Sequence, residues 1–227
     1  MRHIIGKFLI KVQLQSTNQM CHFFIPFDPF QKWLKPSMMS NGSLMNFIKI
    51  GDVNMKKNVV MVIANEGFQP IEYGIPKKIL ENAGYGVTTA SNKSGIAVAS
   101  DNSTVKIDSS MNDIDINQYA ALIFIGGPGA LERLDNESSY TLLKDAAKNN
   151  LIIGAICITP RILAHAGILT GKTATGWDDD DELRSIFNKY DVTYEQEPVV
   201  TDKNIITAVG PSAAEAFGNR LVELLNK

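Results

Sequence analysis

Leu151–Gly167 reads LIIGAICITPRILAHAG, a short apolar run that ends on a cysteine and passes at once into a helix-forming stretch. Leu151 to Ile156 show no polar alternation, the pattern of a strand buried on both faces of a parallel sheet. Pro160 suits the first turn of a helix and Gly167 its end. A strand that ends on Cys157 and turns sharply into a helix is a nucleophile elbow. It lifts a side chain above the carboxyl edge of the sheet, where open α/β folds bind ligands. A helix N-terminus beneath the sulfur favours negative charge, so the pattern predicts a thiol that ionises more readily than a free one. The same spacing also fits a cysteine that is only a small buried hydrophobe.

Outward from this stretch the same punctuation repeats. Asn58–Ala64 (NVVMVIA) and Tyr119–Ile125 (YAALIFI) are further continuous apolar runs. Helices are predicted over 70–83, with Pro70 in the first turn, Pro76 inside and Gly84 as the stop, and over 137–149, 179–189 and 212–226. Residues 86–90 and 172–175 read as strands, and 95–107 and 198–209 as hairpins turning at Asp101-Asn102 and Asp202-Lys203-Asn204. The recurrence of strand, turn and helix specifies an α/β fold with a doubly wound, mostly parallel sheet flanked by helices.

The character changes near Met55. Residues 1–54 mix apolar, aromatic and polar residues without sustained period, and their bias is basic, with Arg2, Lys7, Lys11, Lys32, Lys35 and Lys49 against Asp28 and Asp52. This stretch reads as an N-terminal extension, poorly ordered or upstream of the true start, ahead of a domain over 55–227. Organelle targeting is a second reading, although the segment is neither Ser-rich nor Arg-rich. A third has a helix over FLIKVQL (8–14) and the aromatic run HFFIPFDPF (22–30) docking on the domain or mediating association.

Bulk properties narrow the classes. A chain of 227 residues, 44% hydrophobic and 20% charged, can bury one substantial core. A formal charge of -2 offers no broad basic field for a phosphate backbone, so nucleic acid is not expected as a partner. Two cysteines, Cys21 and Cys157, and no apolar run of spanning length point to a reduced, cytoplasmic protein without a membrane segment. His3, His22 and His165 lack metal-ligand spacing, and no cofactor or metal is expected.

Gly126-Gly127-Pro128-Gly129 follows the strand 119–125. Its glycines let backbone N–H groups approach a substrate oxygen with no Cβ in the way, and with the amide of Ile158 they make an oxyanion hole. A phosphate-binding turn is the alternative, but neither G-x-G-x-x-G nor a Walker pattern is present. The run Asp178-Asp179-Asp180-Asp181-Glu182 reads as a solvated helix N-terminus. His165 lies eight residues beyond Cys157, ~12 Å along one helix, too far to polarise the thiol; it reads as a packing residue.

Taken in order, Asn65 to Glu72, Ile75-Pro76, Gly126 to Gly129, Ala155-Ile156-Cys157-x-x-Pro160 and Gly210-Pro211 resemble the ThiJ/PfpI superfamily over about residues 56–225. The resemblance implies the flavodoxin-like, class I glutamine amidotransferase-like fold and a homodimer. It makes Cys157 the nucleophile and Glu72 the carboxylate that contacts its sulfur, and it lets Trp177 line the pocket beside the elbow. An ionised Glu72 beside a thiolate raises both pKa values, so the useful arrangement is a protonated carboxyl donating a hydrogen bond to the sulfur, with one proton shared between them. Ile158 and Thr159 depart from the family pattern, in which histidine or a small residue follows the cysteine and a glycine comes next. The position of a histidine in the deglycase branch falls on Gly176. The nearest function implied is a cofactor-independent glyoxalase or protein deglycase acting on small reactive aldehydes or glycated protein. The alternatives are a PfpI-like cysteine peptidase or amidase, and a redox sensor or stress chaperone that oxidises Cys157.

Overall fold

Where apolar residues run without a break, the chain forms strands covered on both faces. The computed structural model describes residues 7–13, 20–26 and 58–227, within two units, Met1–Lys49 and Ile50–Lys227. In the first unit, β1 (Lys7–Gln13) pairs antiparallel with β2 (Met20–Pro26), Lys7 opposite Pro26. The helix expected over 8–14 is therefore a strand. Phe8, Ile10 and Val12 recur at a period of two, and two of them are β-branched, which favours extended backbone. The rest of the extension and its targeting and association readings lie outside the described residues.

The second unit contains β3 (Asn58–Ile63), β4 (Glu66–Phe68), α1 (Pro70–Asn82), β5 (Gly86–Ser91), β6 (Ile96–Ala99), β7 (Thr104–Lys106), β8 (Ser109–Ser110) and β9 (Ala121–Phe124). It continues with α2 (Ala130–Leu134), α3 (Glu137–Lys148), β10 (Ile152–Ile156), α4 (Pro160–His165), β11 (Thr173–Ala174), α5 (Leu183–Lys189), β12 (Thr193–Tyr194), β13 (Val199–Asp202), β14 (Ile205–Ala208) and α6 (Ala214–Leu225). A seven-stranded sheet has the order β13-β14-β10-β9-β3-β5-β8. Every neighbouring pair in it is parallel except β13 with β14. This is the doubly wound sheet that the strand-helix alternation specified.

Strand parity distributes the core. Val60 and Val62 of β3, Leu122 and Phe124 of β9, and Ile153 and Ala155 of β10 face one layer, which includes Leu142, Leu143 and Ala146 of α3 and Ile162 and Leu163 of α4. Val59, Met61 and Ile63, with Ala121, Ile123 and Ile156, face the other, which includes Leu80 of α1 and Phe217 and Leu221 of α6. The chain leaves β3 to β5 on one side and returns to β9 on the other. The sheet therefore has its topological switch between β3 and β9, the place where open α/β sheets leave a crevice.

α1 opens with Pro70 in its first turn, where a missing N–H costs nothing, and Gln69 accepts the Ile71 N–H at 2.6 Å through its side chain. Gly84, at φ +88, ends it, and the Tyr85 N–H returns to the Leu80 carbonyl at 3.0 Å. Pro76 sits inside the helix without interrupting it, although it denies the Glu72 carbonyl its helical donor. A Cβ added at Gly218 of α6 would lie 2.8 Å from Ile79 Cδ1 and 3.0 Å from Pro76 Cα. Gly218→Ala is thus expected to wedge α6 from α1 and cost about 1–3 kcal/mol, read as a lower urea midpoint.

Two predicted boundaries move. α4 begins at Pro160, three residues beyond Cys157. α5 begins at Leu183 rather than 179, because Asp178 Oδ1 accepts the Leu183 N–H at 2.8 Å and the acidic run stays ahead of the helix. The short strands β4, β8 and β12 and the five-residue α2 carry no period long enough to predict. Among the described residues no helix is long and apolar enough to cross a membrane.

Candidate active site

Three loops meet at the carboxyl edge of the sheet, beside the switch point. β10 delivers Cys157, β9 delivers the 126–129 turn, and α1, following β3 and β4, delivers Glu72. Cys157 is half-buried and takes φ +68, a left-handed conformation that costs an L-residue about 1 kcal/mol and is held only where the surroundings impose it. The surroundings are on both sides of the residue. Its N–H donates to the Ala208 carbonyl at 2.8 Å, and its carbonyl accepts the Trp177 N–H at 2.7 Å.

Glu72 is fully buried. Its Oε2 accepts the Gly126 N–H at 3.1 Å, whereas Oε1 has no hydrogen-bond partner among the described residues. The carboxyl faces the Cys157 thiol. Burial pushes Glu72 up to about 7, against the lowering effect of the thiol and of the Gly126 amide. Burial and then the facing carboxylate push Cys157 up to about 12, while the backbone amides of Ile158 and Gly127, directed at the sulfur, pull it down. The expectation that a helix N-terminus would make this an easily ionised thiol is therefore corrected. α4 is short and starts three residues away, and desolvation with the nearby carboxylate outweighs two amides. Between those limits the pair holds one proton, which these shifts favour on the sulfur rather than on the carboxyl that was expected to donate it.

The glycine turn fits against α1's entry loop. Gln69 N–H donates to the Gly126 carbonyl at 2.9 Å, and Gly129 N–H to the Gly67 carbonyl at 3.1 Å. A Cβ at Gly127, φ +123, would lie 2.4 Å from the Gly67 oxygen. Gly126 spends its amide on Glu72, so the donors that face the sulfur are those of Gly127 and Ile158. Ile158 packs its side chain against the α3/α4 layer.

Trp177 reaches the elbow through its backbone. Its indole Nε1 donates to Asp179 Oδ2 at 3.0 Å, and the Arg161 guanidinium lies 5.4 Å from the ring centroid. Arg161 is almost completely buried. It donates to Asp180 Oδ2 at 2.9 Å, to Glu182 Oε2 at 3.3 Å and to the Trp177 carbonyl at 3.3 Å. The acidic run is therefore more than a solvated helix start: two of its carboxylates hold a buried cation, and Arg161 keeps the Asp180 carboxyl below the usual range. An arginine inside an otherwise apolar helical stretch was the signal for this pairing. Gly176 is buried, and a Cβ there would lie 3.1 Å from the Cys157 carbonyl.

His165 takes no part. Its Nδ1 lies 2.8 Å from Asp135 Oδ2 and its ring 5.2 Å from that of Tyr190. Gly210 was visible only as a motif without a role. At φ +153 it runs past the site, and a Cβ on it would lie 3.7 Å from Glu72 Oε1.

A family model described as "DJ-1/PfpI family" matches residues 57–224. An uncharacterized protein of Methanocaldococcus jannaschii is 33% identical over 176 residues, 77% of this chain and 85% of that protein. The Bacillus subtilis protein YraA, a proposed cysteine protease, is 30% identical over 174 residues, 75% of this chain and 99% of that protein. Among solved structures, a ThiJ/PfpI domain protein from Brachyspira murdochii superposes with a TM-score of 0.71 at 30% identity, covering 75% of this chain and 96% of the other. Drosophila melanogaster DJ-1beta does so with a TM-score of 0.68 at 26% identity, covering 74% and 89%.

Proposed function

The chain belongs to the DJ-1/PfpI family, and from that premise we propose that it is a cofactor-independent cysteine enzyme of small reactive aldehydes, of the glyoxalase or protein deglycase type. The observation that carries this reading is the buried Glu72 carboxyl, one oxygen held by Gly126 and the other unpartnered, facing a thiol at a strained elbow. A carboxyl near 7 can both accept and return a proton at neutral pH.

With a 2-oxoaldehyde such as methylglyoxal, Glu72 takes the thiol proton as Cys157 Sγ bonds to the aldehyde carbon. The oxygen that becomes negative faces the amides of Gly127 and Ile158 and is reprotonated by Glu72, giving a hemithioacetal. Glu72 then removes the hydrogen on that carbon, the hydroxyl proton passes to the ketone oxygen through the resulting enediol, and Glu72 returns the first proton to the former ketone carbon. This internal oxidation and reduction leaves a thioester of a 2-hydroxy acid. Water breaks the C–S bond, releasing the acid and restoring the thiol.

The test is lactate formation from methylglyoxal, without glutathione, by wild-type protein before and after alkylation of Cys157. Turnover that disappears on alkylation supports the reading, and an inert wild-type protein overturns it. A peptidase reading draws support from the name of YraA. It calls for a histidine at Cys157, and His165 is engaged elsewhere. Cleavage of a fluorogenic peptide by protein inert toward methylglyoxal would select it.

A further inference from the structure

A side chain braces the β9–β10 pair just below the elbow. The two strands are parallel, with Ile152 opposite Ala121 and Ala155 opposite Phe124. Ile152 N–H donates to the Ala120 carbonyl at 3.1 Å. Steps of two residues along a parallel pair then bring Ile156 N–H opposite the Phe124 carbonyl. The Thr159 hydroxyl binds the groups at both ends of that rung. Thr159 Oγ1 accepts the Ile156 N–H at 3.1 Å and has its own proton to donate to the Phe124 carbonyl at 3.0 Å or the Ile156 carbonyl at 2.9 Å. Thr159 is 0% exposed, so no water can take over these bonds.

We propose that the Thr159 hydroxyl is a positioning device: a side-chain brace that ties the last peptide of β10 to β9 and so sets Cys157 against Glu72 and the 126–127 turn. The elbow is then held on each flank. Ala208 of β14 holds the Cys157 N–H from one side, and Thr159 holds the preceding peptide from the other. A glycine at this position has no hydroxyl to offer. Without the hydroxyl, the Ile156 peptide and the Phe124 carbonyl lose a buried hydrogen-bond partner that no water replaces. A shift of that peptide is felt at the site, because Gly126 packs closely beside it: a Cβ added there would lie 2.9 Å from the Ile156 oxygen. The bulk that Thr159 brings to a tight turn is thus accommodated by hydrogen bonds rather than tolerated as crowding.

This deepens the cysteine-enzyme reading and rests on it for the elbow's purpose, so the test reads the thiol itself and needs no substrate. Alkylation of Cys157 by iodoacetamide is followed from pH 5 to 10 in wild type, Thr159→Ser and Thr159→Val, with far-UV circular dichroism confirming the fold. The wild-type profile is expected to show an inflection near pH 7, where the Glu72–Cys157 pair would give up the first of its two protons. Thr159→Ser keeps the hydroxyl and is expected to preserve the inflection and the rate within about twofold. Thr159→Val keeps the shape without the hydroxyl and is expected to lose the inflection and slow alkylation at pH 8 by about tenfold or more, the size of effect that a misplacement of under 1 Å produces. If Thr159→Val does not fold, Thr159→Ala removes the same hydroxyl without crowding and is read in the same way. A hydroxyl-free variant that alkylates with the wild-type profile overturns the proposal, as does Thr159→Ser behaving like Thr159→Val. Inert protein in the methylglyoxal assay with these alkylation results would overturn the substrate and leave the positioning role standing.

Discussion

Glu72→Gln is expected to abolish methylglyoxal turnover and to make the protein more stable at pH 8. The loss is that of the group that moves protons, a factor of about 10²–10⁴ in kcat. The gain follows from linkage. The folded Glu72 carboxyl is raised from 4.5 to about 7 because burial penalises its charged form. A raised carboxyl leaves stability intact below the unfolded pKa and takes it away as pH rises through the folded one. Wild type should therefore weaken between about pH 4.5 and 7, and glutamine, neutral throughout, should not. The expected difference is near zero at pH 4 and about 1–3 kcal/mol in favour of Glu72→Gln at pH 8, read from urea midpoints. Removing the carboxylate also removes one of the causes that raise the thiol, so alkylation of Cys157 should follow a single step lying below about 12, with no inflection near 7. A variant that retains turnover removes Glu72 from the chemistry. A variant that loses turnover without the pH-dependent gain in stability shows that Glu72 acts by shape rather than by its buried charge.

That opposition between stability and use explains which parts of the site were legible in the sequence. The central strands declared themselves because burial on both faces demands unbroken apolar runs, as in NVVMVIA and LIIGAIC. The elbow was legible for the same reason, since a strand that ends on a cysteine and restarts as a helix leaves few other geometries. The thiol's proton affinity was not, because it depends on desolvation and on a carboxylate 85 residues earlier, and sequence neighbours report only the helix. Thr159 was readable as bulk but not as a bridge, since its partners belong to β9 and β10 and become adjacent only when the sheet forms. Arg161 and the acidic run were each visible, but their pairing joins α4 to a loop and has no local periodicity. The strand over 7–13 was misjudged because four apolar residues in seven fit a helix as readily as a strand until their period of two is counted.

Gly126→Ala is the second large effect, and it separates space from conformation. Gly126 is not among the residues at positive φ, so an alanine has no backbone penalty there. The obstacle is contact alone: the new Cβ would lie 2.6 Å from Cys157 Cβ, 2.7 Å from Glu72 Oε2 and 2.9 Å from the Ile156 oxygen. No single side-chain rotation relieves all three, because two of the three atoms belong to the elbow that Ala208 and Trp177 hold in place. The turn must move, and with it the Gly126 N–H that holds Glu72. The expected result is a fall in kcat/KM of about 10²-fold or more and a stability loss of about 1–3 kcal/mol. Gly84→Ala supplies the control. Gly84 sits at φ +88 with nothing within 4 Å of the added carbon, so it should cost about 1 kcal/mol of stability through backbone strain and leave kcat/KM unchanged. Equal activity losses in the two variants would mean that turnover tracks global stability and that the packing of Gly126 against the Cys157–Glu72 pair has no special part in catalysis. Loss confined to Gly126→Ala ties turnover to the 126–127 turn, the one place where the carboxyl, the sulfur and the backbone must all be within contact distance at once.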